Sequence, residues 1–315
     1  MTAAPTETHA DIIAKYPLLF KDGALFLDNT ALEKITTCPR SAFYYLVRKR
    51  EGDGKKGALN FGSGVHEGLA YRYSNAGVYN DGECRQKSCE KTHEHFLLNP
   101  QPDDEWRTAD LAVRVVDKYC NENITEIFTV NKDSIGKPVV ECGFAVPIGE
   151  IDGIPIIWTG KIDVAITLEQ GLWLMDHKTT SILGPTYFQQ FYNAGQFIGY
   201  TWAYRQLTGQ QPRGVLINAI AVRKPSKTGK EIEFARERIA YTNDQVNEWQ
   251  NNTLNIIATF LGYCNSGYFP MHTAWCHAKY GVCPYFDVCT LPTAQREILL
   301  TSRAYKDVTW SPLND

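Results

Sequence analysis

Asp163, Asp176 and Lys178 are the residues of this chain whose types and spacing most directly suggest chemistry. They lie in the stretch Ile156 to Thr180, IIWTGKIDVAITLEQGLWLMDHKTT, where two runs rich in Ile, Val, Trp and Leu flank a Glu-Gln-Gly break. That pattern predicts two antiparallel strands joined by a tight hairpin. A two-residue loop at Glu169 and Gln170 sets Asp163 directly opposite Asp176, with the carboxylates about 5 Å apart on one face. Lys178 shares that face with Asp176, and His177 points to the other. A three-residue loop closing at Gly171 would slide the pairing by one position without changing the relation of Asp176 to Lys178. Opposed like charges destabilise a sheet, so the arrangement asks for a cation. Carboxylate oxygens suit Mg²⁺ or Mn²⁺, and a lysine beside such an ion helps activate water or stabilise charge on a phosphate. The plainer reading is an exposed hairpin with solvated charges, so the rest of the chain has to decide between them.

A second chemical signal is the group Cys276, Cys283 and Cys289 in WCHAKYGVCPYFDVC, with six and five residues intervening. Three thiols are one short of the four that an iron–sulfur cluster or a structural zinc usually takes. Cys38 is the candidate fourth, 276 − 38 = 238 residues upstream; a site there ties distant segments together. Buried free cysteines, or zinc with His272 or His277 replacing one thiol, are the alternatives. Cys142 and Cys264 read as ordinary core thiols.

The elements that position these groups follow from periodicity. Residues 1–30 read as a polar arm. In LEKITTCPRSAFYYLVRKR, Pro39 fits the first turn of a helix and Phe43, Leu46 and Val47 repeat at helical spacing. The helix ends in the basic run Arg48, Lys49, Arg50, continued by Lys55 and Lys56, which is either a solvated face or a phosphate contact. LNFGSGVHEGLAYRY reads as a turn and then a helix capped by Ser63, with Val65, Leu69 and Tyr73 on one stripe and His66 in the first turn. A lone histidine there is more often a surface or capping residue than a ligand. A helical insertion follows at about 76–135. From Val139 the period becomes strand-like, and Glu141 faces either the acidic site or solvent. TYFQQFYNAGQFIGYTWAYRQLTG predicts one long apolar helix with Gln196 and Tyr200 on a common face. GVLINAIAVRK and IEFARERIAY predict a second strand pair, whose tip carries Arg223, Lys224, Lys227 and Lys230. A helix spans about Asn243 to Ser266, and 291–315 form a tail.

The chain has 315 residues, 43% of them hydrophobic, enough to bury a large core. Its formal charge of −3 excludes a global positive field, so any polyanion is met locally. No leader pattern or membrane-length apolar run is present, which predicts a cytoplasmic location and no membrane partner. Nine cysteines in such a chain argue for ligation rather than disulfides.

Taken together, TCPRSAFYY with Cys38, GSGVHEGL with His66, GKIDVA with Asp163, MDHKTT with Asp176 and Lys178, and QFIGY with Gln196 and Tyr200 resemble the PD-(D/E)XK nuclease superfamily. The likeness is specifically to its RecB-type iron–sulfur exonucleases, including AddB nuclease domains, CRISPR-associated RecB-like enzymes and phage relatives, and it covers roughly Glu33 to Thr290. It implies an α/β restriction-endonuclease-like core, with a central mixed β-sheet flanked by helices. An N-terminal helical region and a cysteine-ligated cluster would join the N- and C-terminal segments, with a single nuclease domain over 31–290. The resemblance further implies one or two Mg²⁺ or Mn²⁺ ions held by His66, Asp163, Asp176 and the carbonyl of His177. Lys178 would position or activate water, Gln196 and Tyr200 would orient Lys178 or the DNA backbone, and a [4Fe–4S] cluster would sit on Cys38, Cys276, Cys283 and Cys289. The implied activity is DNA exonuclease cleavage in recombination, repair or phage DNA metabolism. With no P-loop in the chain, a separate helicase or recombination protein is the implied partner. The rival reading is a DNA-end-binding or assembly subunit that keeps the fold and does not cut.

Overall fold

A computed structural model describes every residue except 1–8, 53–56, 77, 79, 103–104, 124–125, 225–229, 279–280 and 309–315. Lys55, Lys56 and Lys227 of the expected basic stretches lie outside the described residues. In chain order the principal elements are β1 (Leu25–Leu27), α1 (Asn29–Thr37), α2 (Gly57–Ser74), α3 (Asp81–Leu98), α4 (Ala109–Glu122), β2 (Val140–Ile151) and β3 (Ile154–Leu168). They are followed by β4 (Gly171–Thr180), α5 (Gly195–Thr208), β5 (Gly214–Val222), β6 (Ile232–Ala240) and α6 (Asn243–Ser266). The chain divides into two compact units, one of residues 55–143 and 161–246, the other of residues 1–54, 144–160 and 247–315.

In the first of these units, β4 pairs antiparallel with the C-terminal half of β3 and parallel with β5, and β5 pairs antiparallel with β6. The sheet is therefore mixed. Leu168 faces Gly171 and Val164 faces Met175, so the hairpin closes on Glu169 and Gln170 alone. Both loop residues take left-handed backbone, with φ of 50° and 58°, the conformation a two-residue turn needs to match strand twist. Strand β5 is buried along its whole length, as expected of a strand covered on both faces. One cover is a helical layer whose Val65, Leu69, Leu111, Val115 and Phe96 pack with Ile166, Met175 and Ile220 of the sheet.

Helix α2 begins by Gly57, so Ser63 lies in its interior and its hydroxyl returns to the Leu59 carbonyl at 3.2 Å. The expected cap at Ser63 is thus corrected, and His66 moves from the first turn to the third. Two glycines of this helix serve close packing. A Cβ at Gly64 would lie 2.5 Å from the Phe96 ring, and one at Gly68 would lie 2.2 Å from the Thr92 hydroxyl. Glycines four residues apart on one helical face let α2 and α3 approach where any side chain would collide. The predicted long aromatic helix is likewise corrected: a short 3₁₀ turn, Tyr187–Phe191, precedes α5, and the chain breaks over residues 192–194.

In the other unit, Leu25 and Leu27 of β1 are fully buried and pair in parallel with Ile156 and Trp158 of β3. The stretch read as an arm thus holds a strand too short to show alternation. Pro39 opens a helical turn, Pro39–Ala42, that continues as the π-helical segment Phe43–Val47. The basic run after it is structural. Arg48 is ion-paired with Glu297, and the Arg50 guanidinium donates to the carbonyls of Leu300 and Tyr305 at 2.9 and 2.5 Å and to Asp307 at 2.6 Å. With its donors used internally, Arg50 is a staple rather than a phosphate contact. No described helix is long and apolar enough to cross a membrane.

Candidate active site

The β3–β4 ladder ends at Val164–Met175, which frees the next backbone groups of β4 for side chains. The His177 N–H donates to Asp163 Oδ2 at 2.8 Å, and the His177 carbonyl accepts from His66 Nε2 at 2.7 Å. A carbonyl can only accept, so His66 carries its proton on Nε2 and turns an unprotonated Nδ1 inward. That Nδ1 lies 3.4 Å from Asp163 Oδ2 and 4.0 Å from Glu141 Oε1. Three acceptor atoms, on His66, Glu141 and Asp163, stand within 4.8 Å of one another. Acceptors alone repel, and a divalent cation resolves the conflict.

Asp176 stands apart from that trio. Its Oδ2 is buried without a hydrogen-bond donor of good geometry and forms an ion pair with Lys178 Nζ at 2.8 Å. Lys178 Nζ also lies 5.1 Å from the ring centroid of Phe197 on α5, where a cation is favoured over the ring face. Gln196 and Tyr200 meet on the same helix, the amide donating to the phenol oxygen at 3.2 Å. The structure therefore brings His66, Asp163 and the His177 peptide together, and puts Asp176 with Lys178. Glu141, which the sequence left open, joins the first group. Its φ of 48° breaks strand alternation locally and re-aims the side chain, while its Oε2 pairs with Lys161 Nζ at 2.8 Å.

Burial pushes the Asp163 carboxyl up to about 8, with the Asp176 charge adding to the shift and Lys178 opposing it. Burial and then Asp163 raise Glu141, and burial lowers His66 against the pull of Asp176 and Glu141. Burial alone would lower Lys178, but Asp176 and Asp163 outweigh it and hold the ammonium charged. The sign for stability follows. An acid with its folded pKa above the ordinary ~4 stabilises the fold below that value, and the contribution is lost as pH rises through about 8. Protein stripped of divalent ions with EDTA is expected to melt at lower temperature at pH 8 than at pH 5, and Mn²⁺ should restore more at pH 8. Scanning fluorimetry checks this, and Asp163→Asn should flatten the dependence.

The sequence profile of the PD-(D/E)XK nuclease superfamily matches residues 29–290. The chain belongs to that superfamily. A search of curated proteins finds no match. Among solved structures, this nuclease is similar to a crystallised candidate exonuclease from Eubacterium rectale, with 13% identity, a TM-score of 0.45, and coverage of 88% of this chain and 92% of that one. It is also similar to the crystallised protein SSO0001, with 10% identity, a TM-score of 0.32, and coverage of 79% and 84%. Members of the superfamily generally use divalent metals, and the donor set around His66, mostly carboxylate oxygen with one imidazole, suits Mg²⁺ or Mn²⁺.

The nuclease carries its other chemical cluster in the unit that holds Cys38. All four expected cysteines line one cavity of about 440 Å³, together with Trp275 and Tyr285. Cys38 is buried and the other three are half-buried. The Cys283 N–H donates to the Cys276 carbonyl at 2.9 Å, continuing the antiparallel pairing of His277–Ala278 with Gly281–Val282, and this pairing sets the two cysteines beside each other. Among the described residues these cysteines do not form a group with sulfurs within 4.8 Å, whereas tetrahedral zinc draws thiolates to about 3.8 Å. His272, the zinc alternative, points its Nδ1 at the Thr37 carbonyl at 3.0 Å, and the His277 ring packs edge-on to Phe286.

Sequence reasoning missed the polar cluster behind the site. Tyr73, Tyr119, Glu126, Asn218 and Arg236 form hydrogen bonds with one another on the His177 face of the sheet. The one available signal was Asn218 itself, a lone amide inside the apolar run GVLINAIAV.

Proposed function

We propose that this nuclease is a metal-dependent DNA exonuclease that hydrolyses phosphodiester bonds in recombination, repair or phage DNA metabolism, with a structural [4Fe–4S] cluster. The observation that carries the cleaving role is the set of inward acceptors on His66, Asp163 and Glu141, with the ammonium of Lys178 held charged beside Asp176. His66, Asp163, Asp176 and the His177 carbonyl are the proposed holders of one or two Mg²⁺ or Mn²⁺ ions, with Glu141 beside them. A bound ion supplies positive charge to the scissile phosphate and acidifies nearby water. Lys178, kept protonated by two carboxylates, acts as a fixed cation that orients water and offsets charge growing on the phosphate, rather than as a base. Gln196 and Tyr200 present a donor and a phenol toward the same side and serve to align Lys178 or a strand of DNA.

For the cysteines, the cavity that all four line supports a shared cluster; Cys38, Cys276, Cys283 and Cys289 would hold it, and it would supply a structural cross-link. The test is anaerobic purification followed by incubation with end-labelled single- and double-stranded DNA, with Mg²⁺, with Mn²⁺ and with EDTA. Release of labelled nucleotides from ends, dependent on the cation, is the expected result. Retention of full-length DNA in every condition, with DNA still bound, would replace the exonuclease with a non-cleaving end-binding subunit.

A further inference from the structure

The His177 peptide is the hub of the acidic site: its N–H holds Asp163 and its C=O holds His66. Its ring points to the opposite side from Asp176 and Lys178. There it meets a closed network of polar groups in an otherwise apolar core.

His177, Asn218 and Arg236 stand level with one another across β4, β5 and β6. Arg236 Nε donates to Asn218 Oδ1 at 3.1 Å, which fixes which way the amide points. Asn218 Nδ2 therefore donates to His177 Nδ1 at 2.7 Å and to the Tyr119 hydroxyl at 2.9 Å. Arg236 also donates to that hydroxyl at 2.7 Å. With both lone pairs used, Tyr119 gives its own proton to the Tyr73 hydroxyl at 2.7 Å, and Tyr73 donates to Glu126 at 2.7 Å. The Arg236 guanidinium also donates to the Glu126 carboxylate at 2.7 and 3.0 Å. Donation thus runs outward from Arg236, through Asn218 to His177 and through the two phenols to Glu126, and it leaves the His177 ring proton on Nε2, which is buried without a hydrogen-bond partner. The Tyr73 ring, two turns along α2 from His66, stacks on the His177 ring at 5.6 Å and 12°.

Sheet stability does not require this arrangement, since apolar residues would fill the same space with no polar groups to satisfy. What it does is fix one rotamer and one tautomer of His177 at the point where β3–β4 pairing has ended. We propose that Asn218, supported by Tyr119, Arg236 and Glu126, is a positioning residue that locks His177 so that its peptide aims Asp163 and His66 at a common cation. The proposal rests on the reading of those two residues as metal ligands.

Titration calorimetry with Mn²⁺ alone, well below the melting temperature and without DNA, separates the two. Asn218→Ala is expected to weaken Mn²⁺ binding by about 10-fold or more, the scale of lost outer contacts to metal ligands. Asn218→Asp puts an acceptor in place of the donor opposite His177 Nδ1, which moves the ring proton to Nδ1, and keeps the contact to Arg236; the ring stays tethered, so affinity should recover to within about threefold of wild type. Should the alanine variant not fold, Tyr119→Phe removes one hydroxyl and is expected to weaken binding in the same direction. A folded Asn218→Ala or Tyr119→Phe protein that melts earlier yet binds Mn²⁺ as wild type does would overturn the positioning role. Asp163→Ala is the control: if it alone loses Mn²⁺, the ligand reading stands and the network is merely structural, and if it binds as well as wild type, reading and proposal fall together.

Discussion

Lys178→Ala is expected to lower cation-dependent digestion of end-labelled DNA by on the order of 10²–10³-fold, the usual cost of removing one aligned charge from a transition state. The geometry says why the loss should fall on turnover rather than on metal. Lys178 Nζ contacts Asp176 at 2.8 Å and is not among the atoms that converge with His66, Glu141 and Asp163. Taking away a nearby positive charge leaves those acceptors no poorer, so Mn²⁺ affinity should hold or tighten while kcat collapses. Lys178→Met sharpens the comparison, because it keeps an unbranched stem over Phe197 and deletes only the ammonium. Both variants should stay folded, since the pairing of β4 with β5 does not depend on the ammonium. Wild-type digestion by either variant would remove Lys178 from the mechanism, and a matching loss of Mn²⁺ binding would make it a guard of the site's charge balance instead.

How much of this site was legible in the sequence depends on the range of the interaction involved. The hairpin was readable because the turn and the register are one local problem: once Glu169 and Gln170 carry the loop, the pairing of Val164 with Met175 is a matter of counting. Asp176 and Lys178 then share a face by alternation alone. Glu141 was not readable, since strand alternation fails wherever one residue takes a φ of 48°, and no residue type in VVECG announces it. The use of the helical glycines was not readable either. Gly64 and Gly68 fall inside the expected helix, but their use is a contact with Phe96 and Thr92 on another helix, which sequence distance hides. The same holds for Arg48 and Arg50, whose partners lie about 250 residues away. The His177 network was furthest from view, because it needs the registers of three strands and the packing of two helices at once.

Cys38→Ser is the second large effect, and it acts in the other unit. Under the cluster proposal, anaerobic wild-type protein is brown and the variant colourless, or nearly so, since serine is a poor replacement for a thiolate. The stability cost follows from connectivity. Cys38 comes from the first segment of its unit and Cys276, Cys283 and Cys289 from the last, with 276 − 38 = 238 residues between the nearest pair. Closing a loop of that length restricts the unfolded chain by roughly 5 kcal/mol on the cross-link entropy scale, more than the change of one thiol to a hydroxyl would cost by itself. A cavity already lined by all four side chains means that little folded-state strain offsets the gain. The variant should therefore melt many degrees lower, and its first transition should release Leu25, Leu27 and their surroundings, read as lost hydrogen-exchange protection in β1. Mn²⁺ affinity measured below that transition should be unchanged, because His66, Glu141 and Asp163 all belong to the unit without these cysteines. A wild-type preparation that contains stoichiometric zinc and no colour would replace the cluster with a metal ion while leaving the loop argument in force. Equal melting of Cys38→Ser and wild type would remove the cross-link altogether.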